Sequence, residues 1–162
     1  MTSVNPDFYR AASVLVDATT ETLYDMVSDV SRMGEWSPVC TGCTWDPGAG
    51  PTVGSRFTGR NATPANSWQT RCRVIAADRG RRFAFTVEGI GVDWTYTFVP
   101  EAGATRLTES WHLLPEGVEN YRNRFGDEAD TQITIRRDLA VNGLQHTLQA
   151  LKQAAEQVTS RH

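Results

Sequence analysis

Three cysteines in 162 residues are too few for a disulfide framework. Such sparse cysteine fits a reducing compartment, where thiols stay free. No apolar run approaches the ~20 residues that span a bilayer, and Met1 to Arg10 is polar, without the apolar core of a signal segment. A cytoplasmic protein is expected. The chain also lacks a Lys/Arg block, an aromatic RNA-binding motif and a zinc-finger spacing. With a net charge of −3 it has no excess positive field to hold nucleic acid or anionic lipid. There is no internal repeat and no low-complexity linker. Proline and glycine are scattered as turn punctuation, which points to one domain over residues 1–162. What is present is ordinary for a globular protein: 40% hydrophobic and 22% charged residues, in a chain long enough to bury a core or enclose a cavity.

Tyr9 to Val16 is apolar and β-branched and reads as a strand. Asp17 to Glu21 reads as a helix start, with Thr19 or Thr20 as cap and Glu21 in the first turn, where the helix dipole favours an anion. Leu23, Met26, Val27 and Val30 recur at helical spacing. A second short helix or turn spans Ser31 to Trp36 and stops at Pro38. Six strand-like segments follow: Val39 to Asp46, Arg56 to Thr63, Trp68 to Ala77, Arg81 to Val87, Val92 to Val99 and Thr105 to Leu113. The short links at Asp78-Arg79-Gly80 and Glu101 to Ala104 make the sheet antiparallel, at least locally. Gly48 to Pro51 and Gly89 to Gly91 read as turns. Pro115 to Asp130 reads as a surface loop or, with Tyr121 and Phe125 among its charges, as a lid. A long helix runs from about Asp130 to Val158, with Ile133, Arg137, Ala140, Leu144, Leu148, Leu151, Ala155 and Val158 on one stripe. Gly143 in mid-helix costs about 1 kcal/mol against alanine, so a close approach or a ligand is expected there. The fold class is α+β: a curved antiparallel sheet that buries its apolar face against the long helix.

Strand residues alternate sides. Trp94, Tyr96 and Phe98 share an inward face, as do Phe83, Phe85 and Val87. Leu107, Glu109, Trp111 and Leu113 form a third inward set, and Trp68, Thr70, Cys72 and Val74 a fourth. The first strand is ambiguous by this test. An inward wall rich in aromatics either fills a core or lines a small-molecule site.

Glu109 is the sharpest residue, a carboxylate on an apolar face that must be paired or have a raised pKa. Arg137, in the middle of the helix stripe, is its expected partner. The pair is either a polar anchor or acid/base group, or an ion pair bracing helix against sheet. Cys40-Thr41-Gly42-Cys43 lacks the helical context of a redox C-x-x-C and a second ligand pair for zinc. No metal and no cofactor are expected, and Cys43 is expected to pack as a small apolar residue. His112, His146 and His162 fall away from the inward faces and suggest no catalytic base. Ile135 and Leu139, on the helix face near His146, are either scattered surface apolars or a homodimer contact.

The chain resembles the START-like superfamily, also called helix-grip, Bet v 1-like or SRPBCC, and within it the bacterial polyketide cyclase/dehydrase-type branch. The resemblance rests on Ser13 to Ala18, Thr22 to Asp29, Gly34-Glu35-Trp36-Ser37-Pro38, Trp94 to Pro100, Thr105 to Trp111 and the helix from Gly143 to Lys152. It implies a seven-stranded sheet gripping the C-terminal helix, two short helices after strand 1, a cavity between sheet and helix, and a helical turn near Asp29 to Trp36 closing one end. Known members include lipid carriers, aromatase/cyclases and hormone receptors.

Three readings follow. The first is a carrier or binding protein for a hydrophobic small molecule that is lipid-like, aromatic or polyketide-like. Trp36, Trp68, Phe85, Trp94, Tyr96 and Trp111 would line its pocket together with Thr70 and Leu144, while Glu109 and Arg137 orient a polar group. The second is a cyclase, aromatase or dehydratase in which Glu109, Tyr96 or Arg137 acts on a carbonyl. The third is a protein-interaction module with a filled core.

Overall fold

The computed structural model describes residues 5–160. Strand β1 (Tyr9–Val16) leads into α1 (Thr20–Ser28). Thr19 caps α1, its hydroxyl accepting from the Thr22 N–H at 3.1 Å. A 3-10 helix over Val30–Glu35 follows. The sheet continues through β2 (Cys40–Trp45), β3 (Arg56–Thr63), β4 (Asn66–Asp78), β5 (Arg82–Val87), β6 (Val92–Glu101) and β7 (Ala104–Leu113). Two helices close the chain, α2 (Pro115–Phe125) and α3 (Ala129–Ser160).

All seven strands form one antiparallel sheet in the order β1-β7-β6-β5-β4-β3-β2. The first strand thus closes against the last, and β2 forms the other edge. Strand alternation holds where it was legible: Phe83, Phe85, Val87, Tyr96, Phe98, Leu107, Trp111 and Leu113 are all buried. In β1, Ala12, Val14 and Val16 turn inward, while Leu15 is exposed.

Two expectations about the C-terminal half are corrected. Pro115 to Phe125 is a helix rather than a loop. Proline at its first turn supplies the fixed φ and needs no N–H, and Val118, Tyr121 and Phe125 recur at helical spacing. Glu116 in the first turn and Arg122 and Arg124 in the last suit the helix dipole. The start of α2 rests on the β5–β6 turn so closely that a Cβ on Gly117 would lie 2.5 Å from the Gly91 carbonyl oxygen. The second correction concerns α3, which is covered on more than one side. Ile133, Leu144, Leu148, Leu151 and Ala155 are sealed in the core, but Val158 at the end of the expected stripe is 45% exposed.

Candidate functional site

The inward aromatics do not fill the interior. Between the sheet, α2, α3 and the 3-10 helix lies a cavity of about 530 Å³. Of the residues singled out from the sequence, Trp68, Thr70, Phe85, Trp94, Tyr96, Glu109 and Trp111 line it. Exposed Asn66, Gln69, Asn120 and Arg124 on its border mark where it meets solvent.

Three expected residues are elsewhere. Trp36 is buried beneath the 3-10 helix, with the Arg32 guanidinium 5.1 Å from its ring. Leu144 is buried but does not line the cavity. Arg137 does not meet Glu109. Its guanidinium donates to the Asp7 carbonyl at 2.8 Å and ties α3 to the N-terminal segment. The reason is rotational: each helical step turns by about 100°, and the cavity face of α3 is set by Arg136, Ala140, Gly143 and Thr147. Of these only Ala140 belongs to the apolar stripe; Arg136 and Thr147 are polar and Gly143 has no side chain. Leu139 also lines the cavity, whereas Ile135 is exposed. Gly143 has no close neighbour: a Cβ there would find only Pro38 Cγ, at 3.8 Å. The glycine leaves room in the cavity and makes no tight approach.

At the inner wall, Tyr96 and Glu109 are direct cross-strand partners, 5% and 3% exposed. The Tyr96 hydroxyl donates to the Glu109 carboxyl. Burial outweighs that hydrogen bond and pushes the carboxyl up to about 8. The Tyr96 hydroxyl is pushed well above its ordinary range by burial and by Glu109. At neutral pH Glu109 is therefore mostly a neutral acid, able both to donate and to accept. Its Oε2 has no hydrogen-bond partner among the described residues. An unsatisfied buried oxygen on a cavity wall is a group that a ligand can satisfy.

The cavity border is cationic and aromatic. The Arg136 guanidinium lies 4.6 Å from the Trp68 ring centroid, and that of Arg124 lies 5.2 Å from Phe125, which stacks on Tyr121. Neither arginine is paired with a carboxylate among the described residues. Sequence reasoning missed both. For Arg124 a signal was present in α2, where Tyr121 and Phe125 are one helical turn apart with the arginine beside them; Arg136 of α3 carried none.

Cys40 and Cys43 also line the cavity, with sulfurs 3.4 Å apart, and Cys72 lines it from β4. All three are free thiols. Among the described residues no group of three or more His, Cys, Asp or Glu side chains is placed to hold a metal ion, and no helix is long and apolar enough to cross a membrane.

A seven-stranded antiparallel sheet around a long C-terminal helix, with an internal cavity, is the helix-grip architecture of START-like proteins. The chain belongs to the family described as polyketide cyclase / dehydrase and lipid transport, whose model matches residues 11–156. Among solved structures it is similar to the polyketide-cyclase-like protein Cgl2372 from Corynebacterium glutamicum. That protein is 40% identical over 95% of this chain and 94% of its own, with a TM-score of 0.68. Two more distant structures share the fold. A START superfamily protein from Mycobacterium smegmatis has 18% identity over 93% of this chain and 99% of its own, with a TM-score of 0.67. The di-domain aromatase/cyclase StfQ from the steffimycin biosynthetic pathway has 14% identity over 95% of this chain and 53% of its own, with a TM-score of 0.70. No curated protein sequence matches the chain.

Proposed function

We propose that this protein binds one apolar, ring-bearing small molecule in the cavity, anchoring a carbonyl or hydroxyl of the ligand on Glu109 and an anionic group at the arginine-bearing mouth. The carrying observation is Glu109: a buried, mostly neutral carboxyl with an unsatisfied oxygen, set among aromatic walls. Such a group is costly to leave unmet, and a polar ligand atom would restore the missing hydrogen bond. The volume fits a small organic ligand. Arg124 and Arg136, unpaired with carboxylates, favour a ligand whose exposed end carries negative charge. The lipid transport and cyclase activities named for the family agree with this class of ligand.

The test is native mass spectrometry of the purified protein, with extraction of any bound molecule, followed by affinity measurements on Glu109→Gln. An amphipathic aromatic ligand and a changed affinity in the variant support the reading. A folded variant with unaltered affinity sinks the anchor role of Glu109.

A second reading, catalysis of a cyclase or dehydratase type, draws on the same Tyr96–Glu109 pair. A neutral carboxyl hydrogen-bonded to a phenol can protonate a carbonyl oxygen and take the proton back. In that case Glu109→Gln abolishes turnover of a polyketide-like substrate while binding survives.

A further inference from the structure

Cys40 and Cys43 are three positions apart in one strand, and strict alternation would put them on opposite faces of the sheet. They share the cavity face because β2 is irregular. Cys40 is opposite Asn61 and Gly42 is opposite Arg60, so Thr41 is an extra residue, a β-bulge. The Thr41 hydroxyl donates to the Arg60 carbonyl, at 3.3 Å, and fixes the bulge on the neighbouring strand. The sulfurs are thereby brought to 3.4 Å, with the Met33 thioether 3.8 Å from the Cys43 sulfur. A disulfide at ~2.05 Å would bring the sulfurs about 1.4 Å closer than the 3.4 Å at which they stand.

The two thiols are not equivalent. Cys40 lies beside the Gly42 carbonyl and Cys43 beside the Met33 thioether, and the hydrogen bond the two sulfurs share, with the Arg60 charge, holds the Cys40 thiol below its ordinary range. Cys72 is pushed up to about 12 by burial. Burial leaves Cys72 the least reactive of the three, and the sulfur contact makes Cys40 and Cys43 one coupled pair. Both cysteines are at most 7% exposed, and the cavity before them is walled by Phe57, Phe85, Val39 and Trp94. These walls favour a reactant with an apolar body.

We propose that Cys40 and Cys43 form a dithiol site through which this protein reduces an apolar organic hydroperoxide to the alcohol. The Cys40 thiolate attacks the terminal oxygen of the hydroperoxide. The O–O bond breaks, the departing alkoxide takes a proton and leaves as the alcohol, and Cys40 becomes a sulfenic acid. The Cys43 sulfur then attacks the Cys40 sulfur. An S–S bond forms, the S–O bond breaks, and hydroxide leaves as water with the Cys43 proton. One hydroperoxide and two thiols thus give one alcohol, one disulfide and one water, and a small-molecule dithiol reductant resets the pair. The site shares the cavity with the Glu109 anchor but does not use that carboxyl, so either reading can fail alone.

The experiment mixes the reduced full chain with stoichiometric cumene hydroperoxide and, in parallel, with hydrogen peroxide, and follows intact mass, thiol content and a disulfide-mapped digest. The expected result is loss of two hydrogens, a Cys40–Cys43 bond, release of the cumyl alcohol, and faster reaction with cumene hydroperoxide. Cys40→Ser should be inert, Cys43→Ser should stop at a sulfenic acid on residue 40 trapped by dimedone, and Cys72 should be recovered as a free thiol in the wild-type digest. No disulfide, a disulfide to Cys72, or reaction with hydrogen peroxide at least as fast as with cumene hydroperoxide would each overturn the proposal. The wild-type digest stands on its own if a serine variant misfolds.

Discussion

Tyr96 and Glu109 face each other across the β6–β7 ladder, both buried, with the tyrosine hydroxyl donating to a carboxyl that burial holds mostly protonated at neutral pH. Neither residue has another ionisable partner at hydrogen-bonding distance among the described residues, so the pair answers to its desolvated surroundings and to whatever occupies the cavity.

The first prediction is a pH dependence of stability. The Glu109 carboxyl rises from 4.5 to about 8 on folding, so between those values the native state holds a proton that the unfolded chain has lost. Its contribution is fully present below about 4.5 and is lost as pH rises through about 8. The limiting slope is about 1.4 kcal/mol per pH unit. Urea unfolding of wild type and Glu109→Gln from mildly acidic to mildly alkaline pH should show a steeper decline for the wild type. The difference between the two isolates Glu109 from Cys40, which titrates on the same cavity wall. Parallel curves would refute a buried, protonated carboxyl.

A second prediction separates two adjacent arginines. Arg136 lies over Trp68 at the cavity border, whereas Arg137 is tied to the Asp7 carbonyl on the outside. With 1-anilinonaphthalene-8-sulfonate as an anionic aromatic probe, Arg136→Ala should weaken binding by about 1–2 kcal/mol, the scale of a charge-assisted contact. Binding of uncharged N-phenyl-1-naphthylamine should change less, and added salt should shrink the difference. Arg137→Ala should leave both probes unaffected. A reversed ranking of the two variants would discard the mouth as an anion site.

The third prediction uses the glycine of α3. A Cβ at Gly143 meets nothing nearer than 3.8 Å, so Gly143→Ala gains helix propensity at no steric cost and should stabilise the protein by about 0.5–1 kcal/mol in urea unfolding. Gly143→Leu projects into the cavity and should lower probe affinity while leaving the fold intact. A destabilised alanine variant would show that the helix and Pro38 approach more closely than described.

The fourth concerns the closure between β1 and β7. The Thr105 hydroxyl, 1% exposed, donates to the Ala18 carbonyl at 2.7 Å and fastens the start of α1 to the last strand. Thr105→Val keeps the shape and strands that carbonyl, so equilibrium unfolding should register a loss of about 1–3 kcal/mol. Thr105→Ser should recover most of it.

The strands, their antiparallel pairing and the inward placement of Tyr96, Glu109 and Trp111 were legible in the sequence because strand alternation is a local property that burial of one face turns directly into geometry. The family resemblance was legible for the same reason, since its motifs mark turns, caps and core positions. Helix α2 was harder to see because its few apolar residues stand among charges, and a helix that covers a cavity border needs only a narrow apolar strip.

What the tertiary structure decided was how elements are rotated and shifted against one another. One step along α3 separates Arg136, at the cavity, from Arg137, outside it, and only the docking of the helix into the sheet selects between them. One extra residue at Thr41 brings two cysteines to the same wall that alternation would have parted. The sequence by itself determined which faces are apolar, because that follows from side-chain chemistry repeated at a fixed period. That the aromatics enclose a space rather than fill it depends on how far apart the packed elements stand, a distance set by all of their contacts together.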